Sequence, residues 1–548
     1  MNNFQSPLEA FLHWESTKPN AVYLKQPIDG KTIEYTFKSV GNEVRRIASR
    51  IKSYNLPDHS HIALLSMNCA HWIMSDLAIM MAGHVSIPIY PTLNDRSIKQ
   101  ILEHSESRAI IIGKLDDFNA QKKGIIDIPK IFVTMYGEMD VDGDNWDDIL
   151  EHYAPIKDVN KQKPDDLITL IYTSGTTGRP KGVMHTVGNF TDSSNTFITL
   201  FDLPQHPRLF SYLPLAHVAE RLISNCGVML GAEISFSDSL DTFASDLEQT
   251  QPHIFFAVPR IWTKFQEKIL MSIPQSKLNF LLKIPILNNI VKNKLKQKLG
   301  LKDALFICSA AAPIAASLIR WYGTIGITIY QGYGMTEDCC ISHFNLPNAN
   351  KIGTVGKTLK NAKAKLSVEG EILIKNECLM KGYFKEPEMT EAIFDSDGYL
   401  KTGDIGEFDH DGYLTITGRV KDQFKTDKGK YISPSHIELL LSKNTNVEQI
   451  CVVGTGIAQP IALVTLSQLG KEKTKDELIQ SFSDSVLKLN PSLEKHEKIE
   501  KVVVMKEDWN VDNGLTTPTL KVKRNSIEKI HRSFYPIWFN LDDKVIFE

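Results

Sequence analysis

Hydrophobic and polar positions along the first 160 residues or so follow two alternating patterns. The run SVGNEVRRIASRIKSYN has the amphipathic pattern of a helix, and CAHWIMSDLAIMMAGH predicts a second helix that ends near Gly83. The runs HIALLSMN and VSIPIYP are short and apolar, and they predict buried strands. Helices that alternate with such strands favour a layered α/β fold around a largely parallel sheet.

Several later runs repeat one theme, in which an apolar, strand-like stretch ends in small, polar or glycine residues. They are LITLIYTSGTTG, SYLPLA, HIFFAVP, ALFICSAAAP and ITIYQGYG. In open α/β sheets the ligand site lies at the carboxyl ends of the strands. We therefore expect the functional residues to cluster where these runs end.

The pattern changes after about residue 360. KAKLSVEGEILIKNE and GEFDHDGYLTITGRV alternate apolar with polar residues and contain EG and DG turn signals, so they predict antiparallel hairpins. Beyond Arg419–Asp422, about 125 residues have strand and helix patterns of their own, enough for a small domain. The sequence thus predicts a large N-terminal domain over residues 1–420 and a smaller C-terminal domain over residues 421–548.

Composition and charge place the 548-residue chain among ordinary globular proteins. A net charge of −3 argues against a nucleic-acid-binding protein held by a global basic field. The seven cysteines are scattered without a CxxC pair, which favours a reduced, intracellular protein. We see neither a signal peptide at the N-terminus nor a run of ~18 uninterrupted apolar residues that would span a membrane. These features predict a cytoplasmic location.

The densest group of phosphate-binding side chains is YTSGTTGRPKG, from Tyr172 to Gly182, directly after an apolar run. Its glycines let the backbone turn tightly, and its hydroxyls and cations suit phosphate oxygens. The spacing is not that of a Walker A loop. A surface turn is the alternative, but hydroxyls directly after a buried strand favour a phosphate loop. The candidate ligands are Thr173, Ser174, Gly175, Thr176, Thr177, Gly178 and Lys181.

A second candidate site is YQGYGMTE, from Tyr330 to Glu337, after the predicted strand GITIY. Tyr333 offers an aromatic face for adenine, and Glu337 offers the hard anionic oxygen that Mg²⁺ prefers. The alternative is a turn followed by an acidic residue at the start of a helix. The candidate residues here are Gln331, Gly332, Tyr333, Thr336 and Glu337.

A third candidate site combines TGDIG around Asp404 with GRVKDQFK, which starts at Gly418. A carboxylate on a tight glycine turn can accept hydrogen bonds from both hydroxyls of a ribose. Arg419, some fifteen residues further on, can return across a hairpin to the same ligand. The alternatives are an Asx-turn for Asp404 and a solvated hairpin charge for Arg419.

These three motifs resemble, in the same order, signatures of the adenylate-forming superfamily, which includes acyl-CoA synthetases, firefly-type luciferases and peptide-synthetase adenylation domains. A fourth run, LTTPTLKVKR, resembles the mobile lysine motif of that superfamily. Lys521 is the aligned lysine and Lys523 a competitor, while Leu520 stands where many relatives have glycine. LPLAHVAER and AVPRIWTKFQEKI are similar to the long-chain fatty acyl-CoA synthetase version. The resemblance extends from about residue 30 to 530.

The resemblance implies a fold and a reaction. The N-terminal domain would contain layered α/β subdomains and a β-barrel-like subdomain, and the small α+β C-terminal domain would rotate between two steps. In the first step the carboxylate of a long-chain fatty acid attacks ATP, giving acyl-AMP and pyrophosphate. In the second step the thiol of CoA displaces AMP, giving acyl-CoA. Mg²⁺ is the implied metal.

The resemblance also implies roles for single residues. Lys521, His217 and Glu337 would be catalytic, and Thr173 and Glu337 would hold the metal. His217 is otherwise a packed core histidine, and Trp262 either gates the acyl tunnel or belongs to the core. Ala311, Asp404 and Arg419 would contact the nucleotide, Lys421 would be the hinge, and Lys425 would approach CoA after the rotation. The loop Lys425–Lys430 departs from the Ser-Gly-Gly of many relatives.

Three other functions stay open at this point. The chain could transfer its acyl-AMP to a carrier protein in trans, act as a luciferase-like oxygenase, or bind lipid or nucleotide without catalysis. The intact motif residues argue against the last of these. The length of the acyl chain and the oligomeric state are not predicted.

A lysine-rich segment lies outside these motifs. Residues 268–302 contain eight lysines and no Asp or Glu, and apolar residues are mixed with the lysines. Such a segment can lie on an anionic membrane surface, here the inner one, or it can be a solvated helix packed on the domain.

Overall fold

The computed structural model describes residues 4–174, 180–201, 203–517 and 520–548. The strands are β1 (Val22–Ile28), β2 (Lys31–Thr36), β3 (His61–Leu65), β4 (Val85–Ile89), β5 (Ala109–Ile112), β6 (Lys130–Phe132), β7 (Asp144–Asn145), β8 (Leu167–Ser174), β9 (Pro180–Thr186), β10 (Arg208–Ser211), β11 (Glu233–Phe236), β12 (Ile254–Ala257), β13 (Phe306–Ser309), β14 (Tyr330–Tyr333), β15 (His343–Phe344), β16 (Lys357–Thr358), β17 (Ala362–Leu366), β18 (Glu371–Asn376), β19 (Gly382–Tyr383), β20 (Leu400–Phe408), β21 (Leu414–Arg419), β22 (Phe424–Lys425), β23 (Tyr431–Ile432), β24 (Val447–Val453), β25 (Ile461–Leu466), β26 (Lys501–Val504) and β27 (Val545–Phe547).

The α-helices connect these strands. They are α1 (Pro7–Thr17), α2 (Phe37–Ser53), α3 (Ala70–Ala82), α4 (Asp95–His104), α5 (Phe118–Gln121), α6 (Trp146–His152), α7 (Val187–Thr199), α8 (Val218–Leu230), α9 (Phe243–Thr250), α10 (Pro259–Ser272), α11 (Gln275–Lys283), α12 (Pro285–Lys298), α13 (Ala316–Thr324), α14 (Pro387–Ile393), α15 (Pro434–Leu441), α16 (Gln468–Lys471), α17 (Lys475–Leu489), α18 (Arg524–His531) and α19 (Tyr535–Asn540). None of the helices in these described ranges is long and apolar enough to cross a membrane.

Two large sheets form the N-terminal domain. One has nine strands in the order β16-β15-β14-β13-β12-β10-β11-β1-β2, and the other has eight in the order β19-β9-β8-β4-β3-β5-β6-β7. The central strands of both sheets are parallel and the outer pairs at one or both edges are antiparallel. The layered α/β fold predicted from the alternating pattern is therefore present.

The helices between the two sheets carry the main core. α3 is buried along its whole length and ends at Gly83, which has a left-handed φ of 88° as predicted for a helix-ending glycine. The core also contains a buried ion pair, because both Oδ atoms of Asp76 on α3 accept hydrogen bonds at 2.9–3.0 Å from Nη2 of Arg221 on α8. Since only 2% of the Arg221 side chain is exposed, this pair ties two layers together away from solvent.

The segment after residue 360 folds as the hairpins predicted from its alternation. β17, β18, β20 and β21 form a four-stranded antiparallel sheet, which takes the place of the predicted barrel-like subdomain. A short 3₁₀ turn, Val420–Asp422, then leads out of this domain.

The C-terminal residues have cores of their own. The sheet β24-β25-β26-β27 packs one face on α15 and α17 around Val452 and Phe482, and the other around Val503 and Trp538. The chain thus has a large N-terminal and a small C-terminal domain, each with separate hydrophobic clusters.

One predicted strand is placed differently. The sequence predicted a strand over GITIY with the motif as a turn behind it, but the strand runs over Tyr330–Tyr333, within the motif itself. Ile327 and Ile329 are fully buried without belonging to the sheet ladder. These residues are apolar because they are buried in the core. A short apolar run does not reveal whether its residues pair in a sheet or are only buried.

Candidate active site

The phosphate-loop candidate lies at the carboxyl end of β8. Thr173 on β8 pairs with Lys181 on β9, so these two residues flank the loop that joins the strands. Gly175, Thr176, Thr177, Gly178 and the side chain of Ser174 lie outside the described residues. Burial and the nearby charge of Lys421 lower the pKa of Lys181. A cation held under these conditions is stabilised when an anion arrives.

Glu337 lies on a 3₁₀ turn directly after β14 and is buried. Its Oε1 accepts a hydrogen bond of 2.8 Å from the hydroxyl of Tyr383, and Nζ of Lys181 lies 5.0 Å from the centroid of the same tyrosine ring. Burial raises the pKa of Glu337, while the Tyr383 hydroxyl opposes that shift. A nearby cation would therefore stabilise the charged form of this carboxylate.

The second motif forms β14, which pairs with β13 on one side and with β15 on the other. A Cβ on Gly332 would lie 2.4 Å from the ring of Phe344 on β15, so only glycine allows the two strands to pair so closely. Gln331 is buried beside it, and its Oε1 has no hydrogen-bond partner among the described residues. Ala311, just after β13, has a left-handed φ of 69° that non-glycine residues rarely adopt.

Asp404 and Arg419 meet as the sequence predicted. They pair across the β20–β21 hairpin, and Nε of Arg419 donates to Oδ1 of Asp404 at 2.6 Å. The other carboxylate oxygen accepts a 2.7 Å hydrogen bond from the hydroxyl of Tyr333. The hairpin thus brings a buried carboxylate against the aromatic ring of the second motif.

Lys521 reaches this cleft from the C-terminal domain on a tight loop. The backbone N–H of Leu520 donates to the carbonyl of Thr517 at 2.8 Å, and the N–H of Thr517 donates to the carbonyl of Lys521 at 2.8 Å. Leu520 has a left-handed φ of 62°, a conformation that glycine adopts more readily than residues with a side chain.

Lys521 is solvent-exposed as a residue, but protein atoms surround its ammonium group. Burial and the positive charge of Arg419 lower the pKa of Lys521 to about 8, against the pull of Asp404. Lys521 therefore interacts with charges of the N-terminal domain. Lys523, the other candidate, donates its backbone N–H to the carbonyl of Leu515 within the C-terminal domain.

His217 caps the N-terminus of α8. Its Nδ1 accepts a hydrogen bond of 3.2 Å from the N–H of Ala219, so the proton of the neutral ring is on Nε2. Burial and the charge of Lys521 lower the pKa of His217 to about 3. The ring is therefore neutral rather than cationic at ordinary pH.

The structure brings most of the predicted residues into one cleft between the domains. Electrostatic interactions link Lys181 to Glu337, Glu337 to Arg419, and Lys521 to both Arg419 and His217. Lys425 lies elsewhere, exposed on the β22–β23 ribbon with its Nζ 5.5 Å from the ring centroid of Tyr431. Thr336 is buried on the same turn as Glu337.

Sequence reasoning missed two residues of the cleft. Tyr383 binds Glu337, yet 46 positions separate them and no spacing rule connects them. Cys340 is the one cysteine that is not fully buried, and its thiol interacts with the charge of Lys521. The adjacent cysteines Cys339 and Cys340, which begin two residues after Glu337, were a sequence signal for the second residue, whereas no sequence pattern pointed to Tyr383.

The comparisons with known proteins decide the family. The family model for the AMP-binding enzyme matches residues 11–384, and that for the AMP-binding enzyme C-terminal domain matches residues 421–533. The chain belongs to the AMP-binding enzyme family. The resemblance inferred from the motifs is thereby confirmed, and with it the prediction of an enzyme.

Curated members of the AMP-binding family match the chain over nearly its full length. The long-chain-fatty-acid–CoA ligase FadD15 of Mycobacterium bovis is 28% identical and covers 94% of this chain and 93% of its own length. The long chain acyl-CoA synthetase 4 of Arabidopsis thaliana is 27% identical and covers 93% of this chain and 88% of its own.

Solved structures of the AMP-binding family share the fold. The adenylation domain of a carboxylate reductase from Mycobacterium chelonae has a TM-score of 0.82 at 20% identity, covering 97% of this chain and 91% of its own. A fatty acyl CoA synthetase from Mycobacterium tuberculosis has a TM-score of 0.66 at 22% identity, covering 96% of this chain and 99% of its own. At these identities the likeness concerns the fold alone.

Proposed function

We propose that this chain is an ATP-dependent, AMP-forming long-chain fatty acid:CoA ligase. One observation supports the proposal: a single cleft holds the carboxylates of Asp404 and Glu337, the ammonium group of Lys181, and Lys521 from the C-terminal domain. That set suits the condensation of two anions, a carboxylate and a triphosphate. The long-chain ligases among the curated relatives support the choice of substrate.

The first half-reaction joins a fatty-acid carboxylate oxygen to the α-phosphorus of ATP and breaks the bond to pyrophosphate. Asp404 accepts the ribose hydroxyls, and the adenine is held by Gln331, Gly332 and Tyr333 on β14 together with Ala311. Lys181, with the loop after Thr173, binds the terminal phosphates. Lys521 neutralises charge between the carboxylate and the α-phosphate, which lowers the barrier electrostatically.

The residues present fit a magnesium ion. Glu337 is a buried carboxylate that accepts a hydrogen bond from Tyr383 and forms no ion pair among the described residues, so it is a suitable ligand, with Thr173 as the second. When bound there, Mg²⁺ supplies charge neutralisation for the phosphates. Glu337 and Thr173 orient it from the protein side.

In the second half-reaction the sulfur of CoA forms a bond to the acyl carbonyl, AMP leaves with the bonding electrons, and the thiol proton is released. Rotation about the 3₁₀ turn at Lys421 would withdraw Lys521 and bring Lys425 to the cleft. The neutral His217 would remain in the acyl pocket as a hydrogen-bond donor.

The test is pyrophosphate release by the full-length protein with ATP, magnesium and a series of acids from acetate to stearate, with and without CoA. We expect the highest kcat/KM with long chains, and a thioester only when CoA is present. A maximum on acetate would overturn the long-chain substrate. Acyl-AMP that accumulates without thioester formation would instead indicate a ligase that loads a carrier protein.

We also propose that a helical hairpin places the enzyme on an anionic membrane surface, where its substrate partitions. α11 and α12 pack against each other, and their apolar side chains Phe280, Ile286 and Ile290 are 63%, 76% and 55% exposed. Lys277 and Lys283 are exposed beside them. Apolar side chains surrounded by cations are the pattern of an interfacial helix.

The structure indicates which lysines to change. Lys298 pairs with Glu248, whereas Lys277 and Lys283 lie next to the exposed apolar residues. We expect K277E/K283E and F280S/I286S variants each to lose sedimentation with vesicles that contain anionic lipid, while K495E on the C-terminal domain sediments like the wild type. Wild-type protein that stays in the supernatant, or equal sedimentation with purely zwitterionic vesicles and all variants, would leave the helices as a solvated part of the domain.

A further inference from the structure

Helix α10 has two faces with different partners. One face is buried in the cluster on the nine-stranded sheet, where the Trp262 ring lies 5.6 Å from that of Phe255 and 5.1 Å from that of Tyr322. The other face carries Arg260 and Lys264, which are one helical turn apart. Trp262, for which the sequence left a gate and a core role open, is a fully buried core residue in this arrangement.

The charged face of α10 meets the C-terminal domain at Glu448. The carboxylate of Glu448 on β24 lies 2.7 Å from Nη2 of Arg260 and 2.8 Å from Nζ of Lys264. Only 10% of the Glu448 side chain is exposed, while the two cations keep 34% and 41% of theirs. Glu267, on the same face, lies 3.2 Å from Lys264 and completes the charged group.

An apolar contact supports the same junction. Leu439 on α15 packs against the cluster that contains Trp262. Both contacts join the C-terminal domain to the same region of the N-terminal domain. The same structure places Lys521 in the cleft. The Glu448 and Leu439 contacts therefore belong to the domain orientation in which Lys521 faces the other site residues.

We propose that Glu448 is a positioning residue for the first half-reaction: its ion pairs with Arg260 and Lys264 hold the C-terminal domain in the adenylating orientation. This proposal rests on the proposed function, since it presumes two half-reactions with different domain orientations. A contact made in only one of two states shifts the population toward that state by its own free energy. The free energy of this contact must be modest, because the rotation that precedes thioester formation has to break it. Ion pairs whose cations are partly exposed to solvent are weak enough for that.

The first experiment separates the half-reactions in the full-length protein. Single-turnover pyrophosphate release from fatty acid and ATP measures the first, and thioester formation from supplied acyl-AMP and CoA measures the second. We expect E448Q to slow the first about tenfold and to leave the second unchanged or faster. E448D, which keeps the charge, should recover part of the lost rate.

A double-mutant cycle identifies the contact. R260Q/K264Q should slow the first half-reaction as E448Q does, and adding E448Q to it should have little further effect, since the interaction is already removed. The matched control is E472Q, an exposed glutamate of the same domain, which should behave like the wild type.

Each outcome decides the proposal. A general folding role of Glu448 would slow both half-reactions together, because the C-terminal domain serves both, and that result or additive losses in the cycle would overturn it. An unchanged first half-reaction in E448Q would also overturn it. Failure of the proposed function is a different result, in which the wild type releases no pyrophosphate with any fatty acid.

Discussion

Lys521 is an ammonium group whose surroundings favour loss of its proton. Since burial and Arg419 lower the pKa of Lys521 to about 8, the charged form that adenylation needs disappears as the pH rises through that value. We expect kcat/KM for ATP in pyrophosphate release, which reports the free enzyme, to fall about tenfold per pH unit above pH 8.

Two variants check the assignment to Lys521. K521R keeps its charge at high pH, so its lower rate should show no decline above pH 8. K523A is the matched control and should keep the wild-type profile. A wild-type profile that is flat to pH 10, or a decline that persists in K521R, would contradict the role of this ammonium group.

The hydrogen bond from Tyr383 to Glu337 predicts a second effect, on the acid side. Burial already raises the pKa of Glu337, and Y383F removes the hydroxyl that opposes the shift. The carboxylate of the variant therefore becomes protonated at a higher pH as acid is added, and adenylation should fail at a higher pH than in the wild type.

Magnesium titrations of pyrophosphate release measure the same interaction. We expect about a tenfold weaker apparent magnesium affinity in Y383F at neutral pH, the size of one lost hydrogen bond to a charged group. Y413F, which keeps a ring under Lys351 and Lys357, is the control and should titrate normally. An unchanged magnesium dependence in Y383F would contradict the placement of the metal at Glu337.

At the scale of elements, the loop that carries Lys521 depends on an unfavourable backbone conformation. Leu520 adopts a left-handed φ that costs an ordinary residue roughly 1–2 kcal/mol. L520G should remove this cost and keep single-turnover adenylation within about twofold of the wild type. L520V, with a β-branched side chain, should disfavour the loop further and slow adenylation without affecting thioester formation from acyl-AMP. Equal rates in both variants would show that the loop conformation is not needed.

Sequence patterns predicted helices and strands well where local periodicity and turn residues determine the structure. α3 and the hairpins after residue 360 follow from periodicity and turn residues, and Asp404 and Arg419 were placed opposite each other for that reason. The strand predicted near β14 was placed too early in the chain, because Ile327 and Ile329 are buried in the core without pairing in the sheet. Contacts such as Tyr383 with Glu337, or Glu448 with α10, depend on how elements pack, and no local pattern records them.

At the scale of the whole molecule, the buried pair of Asp76 and Arg221 joins the layers of the N-terminal domain. D76N leaves a guanidinium buried without its counter-charge, which should lower the free energy of unfolding by about 3–5 kcal/mol. Urea unfolding of the full-length protein measures this. D76L/R221M should recover much of the loss because no charge remains buried. The exposed pair of Lys473 and Glu477 is the control, and E477Q should cost under about 1 kcal/mol.

The two domains share one cleft but not one core, and heat should distinguish them. The C-terminal clusters around Val452 and Trp538 are separate from those of the N-terminal sheets, so each domain can melt as its own cooperative unit. Scanning calorimetry should then resolve two transitions, with roughly a quarter of the unfolding enthalpy in the smaller one, since this enthalpy scales with residue number. A ligand that fills the cleft would bring the two melting temperatures together.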